Sequence, residues 1–130
     1  MEHSQRDRVA VLGVDDQPIF LDVAREVVAA TPGFVWVGGA ACGADALDAV
    51  TRLRPALVLL DVHMPGMDGI ETARRISEGH PGTVVVLISV DESAAIAPEA
   101  KTSGAVALVR KQEFGPGMLR RLWETHGAAA

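Results

Sequence analysis

The sequence predicts an α/β protein, a doubly wound five-stranded parallel sheet built as (βα)5. Three observations carry that prediction. Five short apolar runs recur, each followed by turn residues and a helix-like stretch. The third to fifth runs are apolar at successive positions, as strands are when helices cover both sheet faces. The chain has 130 residues, 48% apolar and 22% charged, enough for one domain with its own core.

The first run is Val9 to Val14. A helix follows, with Phe20, Val23, Ala24, Val27 and Val28 on one face, Pro18 in its first turn and Thr31-Pro32-Gly33 as its stop. Phe34 to Val37 leads the second strand, and Gly38-Gly39 reads as a loop or bulge. Ala46, Leu47, Ala49, Val50 and Leu53 mark a second helix that ends near Pro55. Leu57 to Leu60 is the third strand, and Ile70, Ala73 and Ile76 lie in a third helix closed by Gly79 and Pro81. Thr83 to Ile88 is the fourth strand. The stretch between Asp91 and Ser103 is helical in composition but holds Pro98, which predicts a short, kinked or restarted helix. Val106 to Val109 is the fifth strand, and Met118, Leu119, Leu122 and Trp123 mark a last helix that starts near Pro116. Alternation of this kind implies right-handed crossovers with helices on both faces.

Composition narrows the function. The charge sum is −5, with no dense basic stripe, and aromatics are 4%, so direct contact with nucleic acid is not expected. No apolar run approaches the length of a membrane span, and no secretory segment follows the polar start, so a soluble cytoplasmic domain is expected. Cys42 is the one cysteine, excludes an internal disulfide, and reads as a small buried hydrophobe. Trp36 and Trp123 read as packing residues, and the four histidines show no zinc spacing. No glycine-rich phosphate loop follows the first strand, which disfavours nucleotide binding.

Ligands of such sheets sit beyond the carboxyl ends of the strands. Asp15 and Asp16 follow the first strand, Asp61 the third, Ser89 the fourth, and Lys111 the fifth. Each alone has a plain reading: a helix cap, a turn former, a strand end, a solvated charge. Together at one edge they place three carboxylates beside one ammonium. Carboxylates that close raise a pKa or take up a cation, and hard oxygen ligands favour Mg²⁺. Lysine and serine suit phosphoryl oxygens, and a carboxylate can act as nucleophile.

The segments Val11-Leu12-Gly13-Val14-Asp15-Asp16-Gln17-Pro18 and Leu60-Asp61-Val62-His63-Met64-Pro65-Gly66-Met67-Asp68-Gly69 resemble the signature of response-regulator receiver domains. Their finer style resembles receivers that precede a helix-turn-helix DNA-binding domain. The resemblance implies a flavodoxin-like sheet of order 2-1-3-4-5, with a tail at 1–8, the receiver at 9–126 and a tail at 127–130. It implies Asp61 as phospho-acceptor, Asp15, Asp16, Asp61 and the His63 carbonyl as Mg²⁺ ligands, and Ser89 and Lys111 as phosphoryl partners. The implied partner is a histidine kinase or phosphotransfer protein, with self-pairing on phosphorylation. Such a domain assists only its own phosphorylation and is not otherwise an enzyme. The sequence departs from the family at Leu108, where an aromatic residue is usual, and at Val90, where a smaller one is common. Gln112 stands where many relatives have proline. The alternatives are a receiver fragment of a DNA-binding transcription regulator and, more remotely, an aspartyl-nucleophile phosphohydrolase. The latter needs a second aspartate where His63 stands.

Overall fold

A computed structural model describes residues 8–64, 66–90 and 98–127. Five parallel strands, β1 (Val9–Val14), β2 (Phe34–Ala40), β3 (Leu57–Asp61), β4 (Val84–Ser89) and β5 (Ala107–Arg110), lie in the order β2-β1-β3-β4-β5. Five helices connect or follow them: α1 (Pro18–Ala30), α2 (Gly43–Leu53), α3 (Gly69–Gly79), α4 (Pro98–Lys101) and α5 (Pro116–His126). This is the flavodoxin-like (βα)5 arrangement expected from the sequence.

Side chains alternate across each strand, so the sheet feeds two cores. Leu12, Val14, Val58, Leu60, Val85 and Leu87 pack with Ala49 and Val50 of α2 and Ala73 and Ile76 of α3. Val11, Leu57, Leu59, Val86 and Ile88 pack on the other face with Val28 of α1 and Leu119 and Leu122 of α5. Strands β3 and β4 are buried along their whole length. At roughly 1.5–3 kcal/mol for each fully buried branched side chain, this double core is the main stabilising contribution.

Several boundaries differ from the sequence reading. Strand β2 continues through Gly38-Gly39 to Ala40, and the bulge falls where Val11 pairs with Trp36 but Leu12 pairs with Gly38. The glycines stay in the strand through pairing, Gly38 with Leu12 and Gly39 with Gly13. Leu53 lies 3.0 Å from a Cβ built at Gly38, a tight fit that favours glycine there. Strand β5 is covered on neither face as fully as its apolar run suggests, since it is an edge strand with Val109 its one buried residue. Val23 points outward from α1, and Cys42 is half-buried at the N-cap of α2. Helix α4 begins at Pro98, the restarted form of the expected helix; positions 91–97 lie outside the described residues, as do Pro65 and most of both tails.

Helix α3 begins directly against the end of β3. Asp68 caps it, its Oδ1 accepting from the Glu71 N–H at 2.8 Å. The Gly69 N–H donates to the Val62 carbonyl at 2.9 Å. A Cβ at position 69 would stand 2.0 Å from the Asp61 carbonyl oxygen, so only glycine permits this approach. Gly69→Ala therefore costs about 2–3 kcal/mol, read as a lower urea midpoint with unchanged slope. An unchanged midpoint would show that α3 backs away freely.

Candidate functional site

The parallel topology brings the ends of β1, β3, β4 and β5 to one edge. Asp61 is the last residue of β3 and pairs in register with Ile88, which puts Ser89 one step further along. Ser89 is fully buried and pairs with Arg110, the residue before Lys111. Lys111 opens a 3-10 turn, Lys111–Glu113, that closes when the Phe114 N–H donates to the Lys111 carbonyl at 3.2 Å. Asp15 and Asp16 occupy the bend between β1 and α1. The edge thus gathers all five expected residues.

Asp15 is fully buried. Its Oδ1 accepts from the Gln17 N–H at 2.8 Å and turns the chain into α1, where Pro18 takes the first helical position. The helix-entry reading of this aspartate therefore accounts for one of its oxygens. The other, Oδ2, lies 2.6 Å from Lys111 Nζ but has no well-directed hydrogen bond among the described residues. Lys111 Nζ also lies 3.8 Å from Asp61 Oδ1. One oxygen from each of Asp15, Asp16 and Asp61 falls within 4.8 Å of the others. Asp16 is exposed, while Asp15 and Asp61 are buried, so the cluster has a closed floor and an open mouth.

Burial pushes the Asp61 carboxyl up to about 6, and the Asp15 charge adds to that rise. Lys111 and the His63 backbone N–H, which donates to Asp61, hold it back, and the Asp16 charge raises it slightly. His63 meets the site through its backbone, and its side chain is exposed. This donor set suits a hard divalent cation: carboxylate oxygens only, a buried oxygen without a directed donor, and mutual repulsion that a cation would relieve. Mg²⁺ would be held by Asp15, Asp16 and Asp61, and it would supply charge neutralisation for an incoming phosphoryl group.

One site residue escaped the sequence reading. Phe20, expected in the core face of α1, also lies against Lys111, whose Nζ is 4.7 Å from its ring centroid. Its only signal in the sequence was its position four residues after Asp16.

Residues 11–122 match the family model of the response regulator receiver domain. The chain is 36% identical over 113 residues to protein-glutamate methylesterase/protein-glutamine glutaminase 4 of Myxococcus xanthus, a match covering 86% of this chain and 32% of that protein. It is 38% identical over 112 residues to the enzyme of the same name from Geobacter metallireducens, covering 84% and 32%. The chain thus spans about a third of the length of these curated relatives. Among solved structures it is similar to the signal receiver domain of NarL from Mycobacterium tuberculosis, with a TM-score of 0.83, 29% identity and 92% and 96% coverage. It is also similar to the response regulator domain of CheB from Thermotoga maritima, with a TM-score of 0.79, 27% identity and 90% and 95% coverage. No helix among the described residues is long and apolar enough to cross a membrane.

The raised Asp61 carboxyl has a consequence for stability. A group whose folded pKa exceeds its unfolded value favours the fold while protonated and loses that contribution as pH rises. In metal-free buffer, wild type and Asp61→Asn are therefore matched below about pH 3.8, the asparagine variant gains as pH rises from there to about 6, and the gap is level above that. The full gap is on the order of 3 kcal/mol. A divalent cation held by the three carboxylates would narrow it by stabilising the wild type. Chemical denaturation across this range checks the slope, and a gap independent of pH would contradict the assigned cause.

Proposed function

This chain belongs to the response-regulator receiver family, phospho-accepting modules of two-component signalling, and on that premise we propose that Asp61 is its acceptor and that positions 9–126 form the switching unit. The observation that carries the proposal is the meeting of Asp15, Asp16 and Asp61 within 4.8 Å beside Lys111. The partner class is a histidine kinase or phosphotransfer protein that carries phosphohistidine.

In the transfer, an Asp61 carboxylate oxygen attacks phosphorus. The phosphorus–nitrogen bond to the donor imidazole breaks, the new phosphorus–oxygen bond forms an acyl phosphate, and the imidazole nitrogen takes up a proton. Asp61 must be ionised to attack, and a cation beside the three carboxylates would favour that ionised form. Lys111 lies close enough to follow the charge from the Asp61 carboxylate to a phosphoryl oxygen, and Ser89 supplies a hydroxyl at the same edge. Asp15 and Asp16, with Asp61 and the His63 carbonyl, would hold Mg²⁺, and the ion would supply positive charge against the two anions. The phosphoryl group enters a buried, hydrogen-bonded edge with roughly two negative charges. That added charge biases the loops after β3 and β4, and the domain signals through that shift. His63 stands where a phosphohydrolase of the aspartyl-nucleophile type needs its acid, which leaves the acceptor role as the fitting one.

Incubation with acetyl phosphate and Mg²⁺ should add one phosphoryl mass, removed by hydroxylamine. EDTA and Asp61→Ala should each abolish the adduct, and Lys111→Met should slow its formation by about tenfold or more. An equal adduct on Asp61→Ala would refute the assignment.

A further inference from the structure

We propose that Phe20 is a positioning residue for Lys111: its ring face seats the ammonium between Asp15 and Asp61 and anchors the turn that carries it. The inference rests on the reading of Asp61 as acceptor and Lys111 as its cationic partner.

Lysine is a compact charge on a flexible four-carbon stem, so its position depends on what surrounds its tip. The tip of Lys111 has two unequal ionic partners, Asp15 at 2.6 Å and Asp61 at 3.8 Å. Attraction rises as separation falls, so these charges alone draw the ammonium towards Asp15, the buried floor, and away from the acceptor. The Phe20 ring supplies a third attraction. Its centroid lies 4.7 Å from Nζ, inside the range at which a ring face attracts a cation. The ring carries no formal charge, so it holds the lysine without adding a fourth anion to the cluster.

The same ring also holds the backbone of the lysine's turn. Phe114 packs on Phe20 with centroids 6.2 Å apart and planes tilted by 53°, a favourable aromatic pairing. Phe114 closes the 3-10 turn that Lys111 opens, through its N–H to the Lys111 carbonyl. The turn therefore touches Phe20 at both ends. Phe20 sits four residues after Asp16, so one short segment supplies two of the acids and the seat. Beside them, Asp16, Pro18, Ile19, Phe20, Val23 and Lys111 line an open cavity of about 560 Å³.

Lys111 is 12% exposed, between the open and fully dry cases. Removing the ring face should slow phosphorylation about three- to tenfold. The test uses the full chain with Phe20→Leu, Phe20→Tyr and a series of ring-fluorinated phenylalanines at position 20. Phosphorylation by acetyl phosphate is timed in saturating Mg²⁺. Mg²⁺ affinity is measured by calorimetry, and the Lys111 ε-methylene proton shifts by NMR. The expected result is a slow Phe20→Leu, a rate restored in Phe20→Tyr, and a stepwise fall with fluorination at unchanged Mg²⁺ affinity. The ε-methylene protons should show an upfield ring-current shift that Phe20→Leu loses and Phe20→Tyr keeps. Equal rates across the series, or a loss in Phe20→Leu that Phe20→Tyr does not restore, would overturn the proposal. So would a wild type without the ring-current shift. A wild type that takes up no phosphoryl group would instead refute the acceptor reading, and the shift would still decide whether Phe20 seats the ammonium.

Discussion

Three carboxylates crowded at one end of a parallel sheet repel one another, and Lys111 offsets that repulsion in part. Two unit charges 4.8 Å apart cost about 3 kcal/mol at an effective dielectric near 20. Burial of Asp15 and Asp61 keeps water from screening the cluster. The acidic edge is thus held under electrostatic tension by the fold around it. Tension of this kind makes a site responsive, because a cation or a phosphoryl group changes the balance of the whole edge.

What withstands the tension is packing. Strands β3 and β4 lie buried on both faces, and their register fixes Asp61 and Ser89 relative to each other. Strand β1 is tightened by Gly13, where a Cβ would stand 2.2 Å from the Trp36 ring. The apolar double core supplies the free energy, and the strand ends concentrate the polar groups that this core excludes.

Much of this was legible in the sequence because it is encoded locally. Pro18 and Pro116 set helix starts through their fixed φ, and unbroken apolar runs marked the two central strands. The acids, the serine and the lysine were legible as a set because parallel topology sends every strand end to the same edge. Gly38 and Gly39 read correctly as a bulge, but the continuation of β2 through them to Ala40 depends on pairing with β1, which two glycines do not announce. The half-open β5 misled in its burial, because its place at the edge followed from the implied strand order but its apolar run reads like that of the covered central strands. Phe20 has a helical address consistent with the core, and its contact with Lys111 exists only once α1 and the turn after β5 are brought side by side.

The close approach of Gly69 to β3 gives the site a stiff side and a compliant side. On the stiff side, the main chain around Asp61 is locked by Val62 to Ile88, by Gly69 to Val62, and by the bare glycine face on the Asp61 carbonyl. On the other side, Lys111 and its turn are held by ion pairs and ring contacts, which can lengthen or reorient without breaking a backbone ladder. The two rims of the cleft are thus built differently, one pinned by main-chain hydrogen bonds under a bare glycine face and the other fastened to α1 by side chains.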